Sequence, residues 1–213
     1  MRLSKITLTK QAPAVSLTKQ GSTGGAMRVN LKWSMRGMEK RGLFGKRKAA
    51  QLPDIDLDLC AFWEMADGSI GHVTPVGNKF GSLTERPYVQ LDRDDRTGGS
   101  DGENLTINLD HADKIKRILI FADIYDGADS WQGLDAVATL HPQQGPPIEM
   151  RLDECTVNSR MVALALIENV QGEMIVRREA RYIVVVPPVR FKQEALDIAY
   201  NWGMSWEPAK PKD

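Results

Sequence analysis

Short stretches in which apolar and polar residues alternate recur along most of the chain. In the segment "MRVNLKW" (27–33) every second residue is apolar, and "DIDLDLCAF" (54–62) begins with the same pattern. Successive side chains of a β-strand point to opposite faces, so this period of two predicts strands with one buried face. Further strands are predicted at residues 6–8, 15–17, 69–73, 105–109, 117–125, 136–140, 148–152, 161–168, 174–180 and 181–186.

The spacing of these strands indicates the fold class. Glycine, proline and aspartate separate them at short intervals, which is typical of an antiparallel β-sandwich. Residues 169–172 predict the turn of a hairpin. One C-terminal helix is predicted, with Gly203 as its cap, because apolar residues recur there at helical spacing: Phe191, Ala195, Ile198, Ala199 and Trp202. We therefore expect an all-β sandwich with this helix and short extra helical segments.

The composition is that of one folded domain without a strong overall charge. The chain has 213 residues, of which 42% are hydrophobic, enough to bury a substantial core. We expect a single domain over residues 1–213, with a short flexible tail at 207–213. Because 28 basic and 28 acidic side chains cancel, no global field favours nucleic acid or an anionic membrane, and we expect no nucleic-acid partner.

The cysteines and the N-terminal residues bear on the cellular compartment. Cys60 and Cys155 are too few for a disulfide framework and too far apart for a zinc knuckle, so they indicate packing thiols in a reducing compartment. The opening "MRLSKITLTK" lacks the apolar run of a signal peptide, and no stretch of 18 apolar residues occurs. We expect a cytoplasmic protein without a transmembrane segment.

Acidic residues are concentrated in two segments about forty residues apart. In the predicted strand 54–62, the alternation puts Asp54, Asp56 and Asp58 on one face while the aliphatic residues enter the core. In the loop 91–104, acidic side chains surround Gly98 and Gly99: Asp92, Asp94, Asp95, Asp101 and Glu103. Calcium needs about six to eight oxygen ligands. Because loops at one end of a sandwich converge, the two acidic segments together could supply them. A solvated surface turn is the other interpretation, and the residues alone leave both open.

Enzymatic interpretations find less support in the residues. A glycosidase needs one acid held apart in an apolar cleft, whereas here the acids crowd together. Such an enzyme would also need a deep aromatic-lined groove beside the acids, and Trp131 is the tryptophan expected in a loop that reaches it. No nucleophile-elbow motif and no phosphate-binding loop is present. A carbohydrate-acting hydrolase that uses the acidic cleft therefore stays an alternative that no sequence motif supports.

The basic segment "RGMEKRGLFGKRK" spans residues 36–48, within an insertion predicted at 36–50. It carries six basic residues against Glu39, and glycines interrupt it. An adaptor that binds an acidic partner through Lys46, Arg47 and Lys48 is one interpretation. A solvated, exposed loop is the other.

Three segments together resemble the TerD family of bacterial tellurite-resistance proteins: "DIDLDLCAF", "RDDRTGGSDGENLTINLD" and "KIKRILIFADIYD". They contain the family's Asp-x-Asp strand, its glycine-rich acidic turn and an alternating strand, in the same order. The opening strands and the late hairpin "MVALALIENVQGEMIVRREARY" also match, so the resemblance covers roughly residues 3–35 and 52–204. It implies a β-sandwich that binds calcium at one end, is associated with tellurite resistance and stress response, and has no established enzymatic activity.

The resemblance also implies a set of calcium ligands. By position in the family's motifs, these are Asp56, Asp58, Asp94, Asp95, Asp101, Glu103 and Asn78. Arg93 stands where the family has a glycine, and Gly102 interrupts the acidic run, so one or two calcium ions are expected. The implied partners are calcium ions and other proteins, among them further members of the family.

Overall fold

A computed structural model describes residues 5–33, 55–93, 102–152 and 155–207, and it shows two β-sheets packed face to face. Over these residues one sheet has seven strands and the other six, which confirms the predicted all-β sandwich. The predicted insertion at 36–50 lies outside the described residues, as does most of the tail predicted at 207–213. The elements are β1 (Ile6–Thr7), β2 (Ala14–Ser16), β3 (Ala26–Lys32), β4 (Asp56–Met65), β5 (Ile70–Val73), β6 (Gly81–Ser82), β7 (Val89–Leu91), β8 (Glu103–Asn108), a 3-10 helix (Leu109–Lys114), β9 (Ile115–Asp126), β10 (Val137–His141), β11 (Ile148–Arg151), β12 (Met161–Val170), β13 (Glu173–Ile183) and α1 (Lys192–Tyr200).

The strand order places early and late parts of the chain side by side in each sheet. The seven-stranded sheet has the order β1-β11-β10-β3-β8-β7-β6, and the six-stranded sheet has the order β2-β13-β12-β9-β4-β5. Neighbouring strands are antiparallel except for β1 and β11, which run parallel. The first two short strands lie in different sheets and so tie the N-terminal segment to both.

The main core lies between the two sheets. β3 contributes Met27, Val29 and Leu31, and β4 contributes Leu57 and Leu59, all fully buried. Alternating residues of β9, β10 and β12 complete this core. Burial of apolar surface stabilises the fold by roughly 25 cal/mol per Å². The burial of these side chains confirms the apolar face predicted for both β3 and β4.

The outer face of the six-stranded sheet is buried as well. Cys60 and Phe62 of β4 lie there in a second apolar cluster, together with Leu119 and Phe121 of β9. Helix α1 and the segment that follows it, up to Trp206, cover this cluster. Strand β4 is consequently buried on both faces, which explains why its alternation gives way to the apolar run "LCAFW" at 59–63.

Helix α1 forms where the sequence predicts it, and Ala195, Ala199 and Trp202 of the predicted apolar face pack against the second cluster. Leu196 and Asp197 are its buried residues, whereas Ile198, predicted to face the core, is 64% exposed. The predicted cap is also wrong, because Asn201, with φ of 51°, takes the left-handed position after the helix, ahead of Gly203. In the described part of the chain, no helix is both long and apolar enough to cross a membrane.

The carboxylate of Asp197 holds the segment after α1 against the sheet. It accepts hydrogen bonds from the backbone N–H groups of Trp202, Gly203 and Met204 at 3.1, 2.6 and 2.9 Å. The indole Nε1 of Trp206 donates a fourth, at 2.7 Å. A buried carboxylate requires such donors, since its burial without them is costly. The buried face of α1 therefore includes a carboxylate beside the apolar residues, which apolar spacing alone does not predict.

The hairpin predicted at 169–172 is present between β12 and β13. Its turn residues, Gln171 and Gly172, both have positive φ (55° and 86°), the geometry of a type I′ turn that matches the twist of paired strands. The strands predicted at 174–180 and 181–186 form one continuous strand, β13. Strands β6 and β7 have two and three residues, too few for a period of two to be detected in the sequence.

Replacement of Asp197 by alanine is expected to destabilise the protein by about 2–4 kcal/mol, because four N–H groups lose their acceptor. Urea unfolding at neutral pH measures the change. The control is Ile198→Ala on the exposed side of the same helix, which should change the free energy of unfolding by less than about 0.5 kcal/mol. Equal effects of the two substitutions would contradict the anchoring role of Asp197.

Candidate metal centre

Asp56 and Asp58 lie at the start of β4, on the outer face of the six-stranded sheet. Leu57 and Leu59 belong to the main core, so strand geometry puts both carboxylates on the opposite face, as the sequence predicts. This face is not open to solvent, because Asp56 is 8% exposed and Asp58 is 1% exposed. Their burial is not predicted from the sequence, because the burial depends on elements from distant parts of the chain that pack against this face.

Strand β9 brings a further buried carboxylate, Asp123, to the same place. It is 2% exposed and lies directly opposite Asp58 in the antiparallel register of β4 and β9. Side chains opposed in this way have Cβ atoms roughly 5 Å apart. Asp126 is the register partner of Asp56 and is exposed. The signal in the sequence is the alternation "FADIY" (121–125), which becomes informative only once the register is known.

Glu103 reaches the same region from the other sheet. It is the first residue of β8, its side chain is fully buried, and its Oε2 accepts a hydrogen bond of 2.5 Å from the backbone N–H of Leu59. Strand β5 pairs with β4 only from Ala61 onward, so this carboxylate satisfies a backbone donor on an edge that β5 leaves uncovered. Acidic residues from both sheets therefore converge at one end of the sandwich.

The thiol of Cys60 is affected by the charges of three of these carboxylates. Its pKa is raised well above its usual range, first by burial and then by the negative charge of Asp58, with further contributions from Asp123 and Glu103. A hydrogen bond with Thr74 acts in the opposite sense. The thiol therefore stays protonated and unreactive near neutral pH. Both cysteines of the chain are free and buried, as expected for packing thiols.

Lys192, the first residue of α1, supplies positive charge to this cluster. Its Nζ lies 2.6 Å from Asp123 Oδ1 and 3.1 Å from the carbonyl oxygen of Ile124. The sequence gives no signal for this pair, because the two residues are 69 positions apart and meet only when α1 packs on β9.

The two described ends of the acidic loop are tied together. The Asp92 carboxylate accepts hydrogen bonds from the backbone N–H of Asn104 and from its side-chain amide, at 3.2 and 3.0 Å. Gly102 has φ of 62°, and a Cβ at that position would collide with the carbonyl group of Leu31. The glycine that interrupts the acidic run is thus required by backbone geometry where the loop enters β8.

The other predicted site residues have different outcomes. Asn78 lies in the exposed turn between β5 and β6, with φ of 56°. Over residues 5–33, 55–93, 102–152 and 155–207, no three His, Cys, Asp or Glu side chains are arranged so as to hold a metal ion. A metal centre at this end therefore requires ligands from the loop 94–101. The predicted residues that lie outside the described ranges, and whose roles stay predictions, are Asp94, Asp95, Asp101, Lys46, Arg47 and Lys48.

The chemistry of the buried donors fits a hard divalent cation. Asp56, Asp58, Glu103 and Asp123 offer carboxylate oxygens, the ligands that calcium and magnesium prefer. Zinc, in contrast, favours thiolate and imidazole ligands. Buried carboxylates are unfavourable unless cations or hydrogen-bond donors compensate them, and a divalent cation would provide such compensation.

A cavity of about 430 Å³ lies on the same outer face, between the N-terminal turn of α1 and residues 205–207. Four aromatic side chains line it: Phe62, Phe121, Phe191 and Trp206. Glu207 is the one carboxylate among its described lining residues, whereas glycoside hydrolysis needs two. The expectation that Trp131 reaches such a groove is wrong, because this side chain is fully buried in the main core. The cavity therefore gives no support to a carbohydrate-acting hydrolase.

His72 lies in the wall of this cavity and is held neutral. Its pKa is lowered from 6.5 to about 4, first by burial and then by the charge of Lys79. The Nζ atom of Lys79 lies 3.1 Å from His72 Nε2, so a neutral ring can accept a hydrogen bond from the ammonium. The imidazole also stacks on Trp206, with ring centroids 5.5 Å apart. Protonation would place two cations side by side in a partly buried site.

Comparison with known proteins identifies a relative along nearly the whole chain. The chain is 43% identical over 209 residues to the tellurium resistance protein TerA of Alcaligenes sp. The match covers 96% of this chain and 58% of that protein, so the chain spans little more than half of its relative's length. No protein-family model matches the chain. The resemblance to tellurium resistance proteins that the motifs indicate is confirmed by this relative.

The pKa of His72 predicts a specific pH dependence of stability. Between the folded pKa of about 4 and the ordinary value of 6.5, the unfolded chain binds more protons than the folded protein. The free energy of unfolding should therefore fall as the pH drops from about 7.5 to about 5, with about 1–2 kcal/mol of the loss due to His72. His72→Gln should reduce the loss by this amount in urea unfolding at the two pH values. An identical loss in both proteins would contradict the assignment.

Proposed function

We propose that this protein is a non-enzymatic calcium-binding module of the tellurite-resistance response, with its metal centre at the acidic end of the sandwich. The observation that carries this proposal is the pair of buried carboxylates Asp58 and Asp123, which oppose each other across β4 and β9, with Glu103 of the other sheet hydrogen-bonded to the backbone beside Asp58. Buried carboxylates this close repel one another, and a divalent cation would relieve that repulsion in addition to the compensation that Lys192 gives Asp123.

Calcium would be held jointly by the strand carboxylates and by the loop between β7 and β8. It accepts about six to eight oxygen ligands in irregular geometry, which suits ligands gathered from separate segments. The bound ion would fasten the loop to the strands and would not act on a substrate. The proposed ligands are Asp56, Asp58, Asp94, Asp95, Asp101, Glu103 and Asn78, to which the register of β4 and β9 adds Asp123.

The cellular role is proposed from the named relative. The Alcaligenes protein is called a tellurium resistance protein, and this chain matches it at 43% identity. Because the chain spans 58% of that protein, activities that need the rest of the relative are left out of the proposal. We infer a role in tellurite resistance and stress response in the bacterial cytoplasm, exercised through binding of calcium and of other proteins of the same kind.

The state of the reactive groups supports a binding role rather than catalysis. Cys60 is buried and its pKa is raised, which suppresses its nucleophilic form near neutral pH. His72 interacts with Lys79, an arrangement that offers no base to a nucleophile. In the described part of the cavity wall, Glu207 has no second carboxylate with which to share acid–base chemistry.

Calcium should stabilise the folded protein, because the unfolded chain separates the strand and loop carboxylates. At an ion concentration of about a thousand times Kd, linkage gives about 4 kcal/mol. For a chain of this length, that corresponds to a rise in Tm of roughly 10 °C or more. Magnesium should stabilise less, since its octahedral shell tolerates an irregular site poorly. Thermal unfolding in chelator, in millimolar calcium and in millimolar magnesium measures the three states.

Asp58→Asn tests the site within the same assay. It should remove most of the calcium-induced rise in Tm, because the amide lacks the charge of the carboxylate ligand. Asp67→Asn is the matched control, since Asp67 is exposed and follows the far end of β4, roughly 25 Å away at the rise of a strand. This control should keep the full calcium response. A wild-type Tm that calcium leaves unchanged would mean that the acidic loop is a solvated turn.

Growth on tellurite connects the centre to the cellular role. Cells that depend on this protein for growth on tellurite should lose that growth with Asp58→Asn and keep it with Asp67→Asn, because the proposed role requires the loaded centre. Plating on a series of tellurite concentrations, with protein levels checked by immunoblot, measures the effect. Equal growth with both variants would show that tellurite resistance does not depend on the metal centre.

A further inference from the structure

The ammonium group of Lys192 lies where a metal cation would be attracted. Its Nζ is 2.6 Å from Asp123 Oδ1, and Asp123 lies opposite Asp58 across β4 and β9. The Asp123 side chain is 3% exposed, whereas that of Lys192 is 30% exposed and so has a path to solvent. A buried carboxylate without a counter-charge is costly, so this pair stabilises the cluster as it stands.

We propose that Lys192 is a built-in counter-ion of the calcium centre: its ammonium competes with the metal ion for Asp123 and moves to solvent when the ion binds. This role rests on the calcium site proposed above. Two positive charges at contact distance from one carboxylate repel each other, so each weakens the binding of the other and the two compete for Asp123. Lysine suits such an exchange, because its flexible four-carbon stem lets the ammonium leave while the backbone stays in place.

The exchange would also reach helix α1, which Lys192 begins. Phe191 and Gln193, on either side of it, line the cavity on the outer face. Glu194 Oε2 accepts hydrogen bonds from the backbone N–H groups of Arg190 and Phe191, at 3.1 and 3.5 Å. The first turn is therefore held both by this cap and by the ion pair of Lys192. When the ion pair opens, the first turn keeps the cap but loses this contact, so the first turn of α1 responds to the state of the centre.

A second lysine offers a matched comparison. Lys116 Nζ lies 2.6 Å from Glu64 Oε1, and Glu64 is likewise a buried carboxylate on the β4–β9 pair. Lys116 and Asp123 lie seven positions apart on β9, roughly 23 Å at the rise of a strand and well beyond the screening length at physiological salt. Removal of Lys116 therefore removes a lysine ion pair on the same two strands without changing the charge at the proposed centre, and Glu64 keeps its pair with Arg117.

Calcium titrations by isothermal titration calorimetry should compare the wild type with Lys192→Met and Lys116→Met. Without the competing ammonium, Lys192→Met should bind calcium about 3- to 10-fold more tightly, as expected for the loss of one partly screened charge. Lys116→Met should keep the wild-type Kd. Lys192→Arg, which keeps the charge, should bind no more tightly than the wild type.

A second measurement uses the wild-type protein and does not depend on the folding of a variant. Reductive methylation followed by mass spectrometry reports how accessible each lysine amine is. Saturating calcium should raise the labelling rate of Lys192 by about 3-fold or more, because the amine leaves a partly buried ion pair for solvent. The labelling rate of Lys116 should stay unchanged.

The outcomes separate this inference from the proposed function. Equal Kd values for the wild type and Lys192→Met, or an unchanged labelling rate of Lys192 in saturating calcium, would overturn the role of Lys192 and leave the calcium site standing. Equally tightened binding by both methionine variants would show a general effect of charge and would also overturn it. Absence of calcium binding in every protein would overturn the proposed function, and the counter-ion role with it.

Discussion

Strands β4 and β9 pair along nearly the whole of β4, and both faces of this pair are buried. One face presents aliphatic side chains to the main core, and the other presents aromatic side chains to α1 and carboxylates at one end. A register shift of one residue would turn Asp58 or Asp123 into the main core, where an uncompensated carboxylate is costly. The pairing of these two strands therefore sets the core, the docking face of the helix and the acidic end together.

Compensation of buried charge then decides how the rest of the chain is arranged. Glu103 accepts a hydrogen bond from the backbone N–H of Leu59, and Asp197 accepts from four N–H groups after α1. These donors are built into the fold, so they specify one structure. Asp123 is compensated differently, by the ammonium of Lys192 on a flexible stem. A mobile counter-ion can be exchanged for another cation, which gives this end of the sandwich a response that backbone donors cannot provide.

The parts of this arrangement that depend on local periodicity could be predicted from the sequence. Alternation located β3, β4 and the late hairpin, and it put Asp56 and Asp58 on the face away from the main core. Asp123 and Lys192 were not predicted, because their proximity depends on strand register and on helix docking, which join distant parts of the chain. Ile198 has helical spacing yet lies outside, whereas Asp197 is buried through its hydrogen bonds, which leave no periodic signal.

Since Lys192, the first residue of α1, pairs with Asp123, ion binding at the proposed centre and the order of the helix start would be thermodynamically linked. A ligand that shifts one of these equilibria is itself affected by the other to the same extent. A partner that packs on the first turn of α1 would therefore change calcium affinity, in a direction set by whether it favours the closed or the open ion pair. The cavity between Phe191 and Trp206 lies beside that turn. The proposed binding module would act in this way, through a surface whose state the bound ion controls.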